Sequence, residues 1–294
     1  MKYLREIELV SAPTVSAASD GFTKLFCRDM AARMMPGFVG PSGLDAVLQA
    51  GLGSNKIGWW SPPGNAVTLP GVLGITAPTA QGTVTARNVA TTTMATRIRR
   101  LGYVSSPTAG SLCGHYVPVA QFTLGVNGAS YSNYGGFFYQ CRFVPADVAL
   151  VAGARMFVGL SSSIAAATNV EPSALTNSIG VAQISTTDTM YIVYGGSVAQ
   201  TPIPLGFNFH SDTASTNIFE LTLFCPPGAV NWVGYRIENL WLGIVASGIL
   251  TTATEGVGLP GNTTFLAHRA WRCNNTTALA VGLDISSVYI ETDY

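Results

Sequence analysis

Charged residues are scarce in this sequence. Asp, Glu, Lys and Arg make up 10% of its 294 residues, whereas roughly a quarter is usual in soluble domains. The formal net charge is +0, so no net field draws the molecule to nucleic acid or to an anionic membrane. A chain with so little charge must cover its surface with small polar residues or hide much of it against other subunits. We therefore expect a homo-oligomer whose other partners are protein or glycan, and no binding to nucleic acid.

Long apolar runs are also missing, although mean hydropathy is +0.33. No stretch reaches the roughly eighteen uninterrupted apolar residues of a membrane-spanning helix. The segment from Met1 to Glu8 carries charges where a signal peptide needs its apolar core. We expect neither insertion into a membrane nor secretion by that route.

The cysteine pattern gives no sign of disulfides or of a metal site. Five cysteines are scattered through the chain, and no two form a CxxC pair. Each lies in an apolar or strand-like context, where a thiol packs as a small hydrophobic group. The sequence predicts five free thiols and folding in a reducing cytoplasm.

Motifs that carry chemistry are absent: there is no phosphate-binding loop, GxSxG elbow, HExxH helix or EF-hand loop. His115, His210 and His268 lie far apart in unrelated contexts, which favours structural roles. Of the acidic residues near the end of the chain, Asp284, Glu291 and Asp293, two could share one strand face and serve acid–base chemistry or a metal. The preferred interpretation is that they keep a terminal edge soluble. We expect no catalytic residue, no metal and no cofactor.

From about Val117 the sequence alternates in short runs separated by turn signals, a pattern typical of a sandwich or barrel. The spacing leaves no room for crossover helices, so pairing should be antiparallel. The expected fold is mainly β, an antiparallel β-sandwich of lectin-like or jelly-roll type. The clearest predicted strands are Phe137–Phe143, Ala154–Leu160, Ser178–Ile184, Met190–Tyr194, Phe219–Phe224, Val233–Leu240 and Val281–Ile290.

The first 116 residues are irregular, because Pro and Gly recur throughout them. Two short helices are predicted there, Phe22–Met35 and Gly43–Leu52. We expect residues 1–116 to form an attachment or oligomerisation region and residues 117–294 to form the sandwich.

Two groups of residues are candidates for binding. The first group is Asn231, Trp232 and Trp241, with Asn231 and Trp232 in an expected loop. The residues around these tryptophans suit stacking on a sugar or a protein interface, although packing in the core explains most aromatic residues. The basic cluster of Arg97, Arg99 and Arg100 lacks interleaved aromatics. It is interpreted as a site for salt bridges or docking between subunits.

Several segments resemble a family of virion structural proteins from tailed bacteriophages and prophages. The segments that carry this resemblance are Arg33–Leu44, Asn55–Asn65, Thr96–Val104, Arg269–Asn275, Ala280–Ile285 and Tyr289–Tyr294. Members are identified as tail fibre, receptor-binding or uncharacterised virion proteins. The resemblance implies a homotrimer with a lectin-like or jelly-roll sandwich, but it transfers no binding residue to a position in this chain.

The leading functional hypothesis is a tail fibre or tail-tip subunit. Its N-terminal region would dock to the virion, and its sandwich would recognise a host surface glycan or protein. The alternative is a purely structural virion subunit of the head, neck or baseplate. A depolymerase would need two facing carboxylates in a cleft. The chain has only fifteen acidic residues, which makes such a pair less expected.

Overall fold

The computed structural model describes residues 15–16, 18–19, 21–39, 45–47, 56–67, 72–127, 132–147, 150–208, 217–228 and 231–292. In chain order the first strands are β1 (Lys24–Met30), β2 (Arg33–Val39), β3 (Asp45–Val47), β4 (Lys56–Trp60), β5 (Val72–Leu73), β6 (Thr79–Gln81), β7 (Thr83–Ala86), β8 (Leu101–Val104), β9 (Leu112–Tyr116), β10 (Val126–Asn127) and β11 (Ser132–Tyr134). They are followed by β12 (Phe137–Pro145), β13 (Arg155–Ser161), β14 (Ser178–Gln183), β15 (Thr189–Gly195), β16 (Ile203–Asn208), β17 (Phe219–Cys225), β18 (Trp232–Asn239), β19 (Ile244–Thr251), β20 (Ala267–Cys273) and β21 (Gly282–Thr292). The helical elements are α1 (Met94–Arg97) and a 3-10 turn (Pro172–Ala174), and no helix of the described part is long and apolar enough to cross a membrane.

Two large antiparallel sheets form the body of the protein. Sheet I has nine strands in the order β19-β18-β17-β12-β21-β4-β5, with β8 pairing both β21 and β7. Sheet II has seven strands in the order β16-β15-β14-β13-β20-β9-β6. One continuous hydrophobic cluster contains residues from both sheets, so they pack face to face. The predicted antiparallel β-sandwich is therefore confirmed, and so are all seven predicted strands.

Alternation along the strands explains why these segments form a sandwich. In β17, Phe219, Leu221 and Leu223 enter the shared core, while Glu220 and Thr222 point to the other side of sheet I. A one-residue slip would move every apolar side chain out of the core, so burial fixes the register. All five cysteines are buried and free, as predicted.

The predicted helix Phe22–Met35 is wrong. Strands β1 and β2 form an antiparallel hairpin that turns at Ala31 and Ala32, whose φ angles are 58° and 68°. In the second predicted helix, Gly43–Leu52, residues Asp45–Val47 form strand β3, which pairs with β2; residues 43–44 and 48–52 lie outside the described ranges. Pairing between strands overrides the local helical pattern, because hydrogen bonds between the strands satisfy the backbone N–H and C=O groups and the small sheet packs against sheet I.

The expected boundary at residue 117 does not coincide with a break in the sheets. Strand β4 pairs with β21 in sheet I, and β9 pairs with β20 in sheet II. Strands from before residue 117 thus complete both sheets of the sandwich. Of the N-terminal strands, only β1, β2 and β3 form a sheet of their own.

The outer faces of the two sheets differ in chemistry. On sheet II, Phe157, Trp271, Ala182 and Val193 form a second apolar cluster with Ala167, which belongs to the segment between β13 and β14. The outer face of sheet I instead carries charged and amide side chains, with the β1–β2 hairpin packed over one end. The outer face of sheet I is therefore polar and partly exposed, whereas that of sheet II is apolar.

Candidate functional site

The outer face of sheet I brings hydrogen-bonding side chains together in two adjacent rows, here called the polar face. Opposite residues of paired strands point to the same side of a sheet. The first row is Ser247, Arg236, Thr222, Gln140, Tyr289 and Trp59. The second row is Val245, Glu238, Glu220, Arg142 and Ser287. Six strands spaced about 4.8 Å apart make the first row about 24 Å long.

Ion pairs order the side chains of the second row. Glu220 is 4% exposed; it accepts hydrogen bonds from Arg142 Nε and, at 2.8 Å, from Gln140 Nε2. Arg236 and Glu238 form a separate pair at 2.7 Å. The Arg142 side chain remains 42% exposed. The face therefore presents guanidinium and amide groups in fixed positions rather than as free, mobile side chains.

The hairpin forms one wall of the polar face. Arg33 pairs with Glu291, and its guanidinium carbon lies 4.7 Å from the ring centroid of Phe138. Glu291 also accepts a 2.7 Å hydrogen bond from the Tyr289 hydroxyl. At the hairpin turn the carbonyl of Ala31 lies so close to Gly234 that a Cβ there would overlap it. Glycine at this position lets the hairpin dock directly on β18.

A cleft lies between the hairpin turn and strands β18 and β19. Its volume is about 340 Å³, and its lining includes Asp29, Ala32, Arg236, Ser247 and Ile249. The cleft opens beside one end of the first row and contains an acidic group, a guanidinium, a hydroxyl and an apolar wall. Such a mixture is typical of a site that orients a polar ligand.

An aromatic pair, the exposed Trp59 and the half-buried Tyr289, marks the other end of the first row. Trp59 is 39% exposed and stands directly opposite Tyr289. The adjacent Trp60 is fully buried against His115, because neighbouring strand residues face opposite sides of the sheet. Trp59 was not among the binding residues predicted from the sequence. The strand alternation of the Trp59-Trp60 pair was the available signal that one of the two faces outward.

The predicted ligand residues are not brought together. Asn231 is exposed just before β18, and Trp232 begins that strand, half-buried and edge-on to Phe224 at 6.0 Å. Trp241, 55% exposed, lies in the turn beyond the other end of β18. Eight strand residues span about 26 Å, so Trp232 and Trp241 cannot contact one small ligand.

The predicted basic cluster is also divided. Arg97 and Arg99 are exposed, but Arg100 is buried and donates from Nε to Asp284 at 2.9 Å. Arg87 contacts the same carboxylate at 3.0 Å. Arg100 was predicted to dock another subunit; that part of the prediction is wrong, because its guanidinium compensates a buried charge inside the subunit.

Two of the three histidines meet in the core. His115 and His268 are hydrogen-bonded to each other through Nε2 at 2.7 Å, while their Nδ1 atoms lie 2.8 Å from the hydroxyls of Tyr103 and Tyr139, respectively. Burial lowers the pKa of His115 to about 3; burial first, and then the neighbouring His115, lowers the pKa of His268 well below its usual value. These histidines are neutral structural groups joining the two sheets. His210 lies outside the described residues.

Two of the three acidic residues near the end of the chain are held in ion pairs. Asp284 pairs with Arg87 and Arg100, and Glu291 pairs with Arg33, whereas Asp293 lies outside the described ranges. Within those ranges no group of three or more His, Cys, Asp and Glu side chains could hold a metal ion.

Two carboxylates on the polar face stand close enough to consider catalysis. Glu220 and Glu238 are directly opposite on β17 and β18. Each contacts an arginine, Arg142 or Arg236. A hydrolase of the two-carboxylate type needs one carboxyl group free to serve as the general acid toward a leaving group, whereas both of these groups are engaged in ion pairs.

No protein-family model and no curated protein matches this chain. Among solved structures, a protein of unknown function from Shewanella oneidensis MR-1 is 12% identical and matches with a TM-score of 0.49, covering 83% of this chain and 90% of its own. Arcelin-5 from Phaseolus vulgaris, a lectin-like defence protein, is 10% identical with a TM-score of 0.45, over 81% of this chain and 98% of its own. Lectin II from Ulex europaeus is 11% identical with a TM-score of 0.47, over 74% and 93%. These similarities are too low to assign a family or a ligand.

Proposed function

We propose that this chain is a non-enzymatic bacteriophage virion protein, a tail fibre or tail-tip subunit, that recognises a polysaccharide of the host surface through the polar face of sheet I. The polar face is the binding surface, the cleft beside Arg236 receives one end of the ligand, and Trp59 stacks against a sugar ring at the other end. The ligand is an extended chain of sugars rather than a single sugar, because the first row spans about 24 Å.

The observation that carries this proposal is the concentration of ordered polar groups on one sheet face of a charge-poor protein. Guanidinium and amide donors, such as those of Arg142 and Gln140, match the hydroxyl and acidic groups of polysaccharides. An exposed aromatic ring supplies the apolar contact that a sugar face requires. Trp59 and Arg142 present both kinds of group within the same face.

The assignment to a virion is supported by the sequence. The resemblance to tailed-phage proteins covers segments from Arg33 to Tyr294, and the low charge suits a subunit that buries surface in a symmetric assembly. Under this proposal the N-terminal sheet faces the rest of the particle, and the protein binds its ligand without cleaving it.

The second candidate function is a purely structural virion subunit. It is favoured by the surface of the N-terminal hairpin, where Phe22, Leu25, Met34 and Phe38 are exposed. Leu25 and Phe38 stand opposite each other on β1 and β2. An exposed apolar patch of this kind suits a contact with another virion protein. Such a contact is compatible with the receptor-binding role, but it would be sufficient for a structural one.

The experiment is a direct binding screen. Labelled protein is applied to an array of capsular polysaccharides and lipopolysaccharide O-chains, with simple neutral oligosaccharides as controls. Selective binding to one class, inhibited by the same free polysaccharide and leaving its chain length unchanged, is expected. Absence of binding to every polysaccharide by folded protein contradicts receptor recognition and favours the structural role, whereas shortening of the polysaccharide contradicts the non-enzymatic assignment.

A further inference from the structure

Strand β19 ends sheet I and exposes a long apolar edge. It contains eight residues, none of them charged and none of them proline. Val245 and Ile249 are 45% and 57% exposed, and Ile244 at its start is 41% exposed. Strand β19 pairs with β18 along its whole length without a register shift. An edge of this kind presents unpaired backbone donors and acceptors to any strand that approaches.

The other described edges of the two sheets are protected. Strands β5, β6 and β7 contain two, three and four residues. Strand β16 has six residues, but it carries Pro204, a Gly206 with φ of 79°, and a register shift in its pairing with β15. Short length, proline and bulges are the devices by which proteins prevent strand addition. Strand β19 lacks all three, and it also lacks the charged residue that would serve the same purpose.

We propose that β19 pairs antiparallel with β19 of a second copy of this chain, so that two sheets I join edge to edge. A strand suits this edge as a partner, because another backbone offers hydrogen-bond donors and acceptors at the matching spacing. A second copy fits because the strand is self-complementary. It carries no charge that would repel the same strand of the other copy, and in an antiparallel pair its apolar side chains lie opposite apolar side chains of the other copy.

The register follows from the face on which each residue lies. Residues directly opposite in an antiparallel pair share a face of the sheet. Because neighbouring residues of one strand lie on different faces, the two-fold axis must place a residue opposite the same residue of the second copy. With the axis at Ser247, Val245 stands opposite Ile249 of the second copy on the outer face, and Ile244 stands opposite Leu250 on the inner face. With the axis at Gly248, Val245 would oppose Thr251 and Ser247 would oppose Ile249, which loses the apolar pairs. The axis therefore lies at Ser247.

This contact closes with two subunits, because an isologous interface uses the same surface on both. The trimer implied by the family resemblance is not built by this edge. The dimer is inferred from the strand edge alone and not from polysaccharide binding, but its interface adjoins the proposed binding surface: Val245 and Ser247 lie on the polar face, and Ile249 lines the cleft.

The decisive experiment is cross-linking through the symmetry axis. Opposite Cα atoms in an antiparallel pair are about 4.5–5.5 Å apart, within the range that a disulfide spans. Ser247→Cys should form a disulfide-linked dimer under mild oxidation. The five native cysteines are buried, so they provide no competing exposed thiol. Thr251→Cys is the matched control, because its two copies would lie about 26 Å apart and should not cross-link.

Mass measured by light scattering provides the second test. The wild-type protein should be a dimer at micromolar concentration, and Ile249→Lys should be a monomer with unchanged circular dichroism. Leu279→Lys, an equally exposed apolar position in the turn before β21, should remain a dimer. A monomeric or trimeric wild type, or a dimer that survives Ile249→Lys without cross-linking at Ser247→Cys, overturns the proposal.

Discussion

His115 Nε2 lies 2.7 Å from Nε2 of His268 in the fully buried centre of the sandwich. One hydrogen fits between these two atoms, so one ring donates and the other accepts. The hydroxyls of Tyr103 and Tyr139 continue the chain on either side. Since both tyrosines belong to sheet I and both histidines to sheet II, this hydrogen-bond chain joins the sheets only while both rings are neutral.

The first prediction concerns pH. An unfolded histidine has a pKa of about 6.5, whereas burial lowers the pKa of His115 to about 3 and that of His268 well below its usual value. Below pH 6.5 the unfolded chain binds protons that the folded protein cannot, so stability is complete above that pH and declines as pH falls toward 3. Between pH 7 and pH 5 the loss should be about 2 kcal/mol for each histidine.

Urea unfolding at pH 7, 6 and 5 checks this prediction. The variant His268→Gln, although less stable at every pH, should show about half of the wild-type dependence, because one titrating group remains. A free energy of unfolding that is constant between pH 7 and 5 would show that the two histidines are not neutral partners in the core.

The second prediction concerns the buried ion pair of Arg272 and Asp147, both of which have fully buried side chains. Arg272 also donates to Gln183 at 2.7 Å, and Asp147 accepts the backbone N–H of Gly282. Arg272→Met should cost about 3–5 kcal/mol, because it leaves a carboxylate buried without its cation. Arg155→Met breaks a pair that is partly exposed and should cost about 1 kcal/mol or less. Equal losses in the two variants, measured by urea unfolding, would contradict the burial of Asp147.

The third prediction tests the hairpin that replaces the predicted helix. Ala32 has a φ of 68°, which costs an L-residue about 1–2 kcal/mol and glycine little. Ala32→Gly should therefore raise the stability by about 0.5–1 kcal/mol. In a helix the same change would lower it by about 1 kcal/mol, so the sign of the effect in thermal or urea unfolding distinguishes the two structures. Ala86→Gly in strand β7 is the control and should be destabilising.

The alternation of apolar and polar residues made the strands between Phe137 and Ile290 predictable, because each segment by itself shows which of its faces is buried. The hairpin was not predictable in this way. Its turn is Ala31-Ala32 instead of the Asn-Gly that signals a tight hairpin, and alanine favours helix locally. Packing of Ala31 against Gly234, far away in sequence, stabilises the turn at that place together with the hydrogen bond from the Ala32 N–H to Asp29 Oδ1.

The candidate site was predictable only in part. The alternation of Arg236 and Glu238 with apolar residues showed that β18 has a polar side. The rest of the face could not be predicted, because it depends on the order of the strands in sheet I. In that order β12 lies between β17 and β21, so the pairings join segments that are distant in sequence. Arg100 illustrates the same limit: its partner Asp284 is 184 residues away, so the local cluster of arginines looked like a surface feature.

The fourth prediction separates the two exposed tryptophans. Trp59→Ala should weaken polysaccharide binding about tenfold or more, because loss of a tryptophan ring that packs on a ligand commonly costs that much. Trp241→Ala should leave affinity unchanged, since Trp241 lies beyond the far end of β18. The dissociation constants of both variants, measured by calorimetry with the polysaccharide selected on the array, check the prediction. Loss of binding in Trp241→Ala alone would place the site at the β18–β19 turn instead.

The most direct test of the polar face is the affinity of Arg142→Ala for the selected polysaccharide, compared with that of Arg99→Ala. Both arginines are exposed, but only Arg142 lies on sheet I. Arg142→Ala should lose at least tenfold in affinity with its fold intact, while Arg99→Ala should bind as the wild type does. Wild-type affinity in Arg142→Ala, combined with the same result in Trp59→Ala, would contradict recognition through this face.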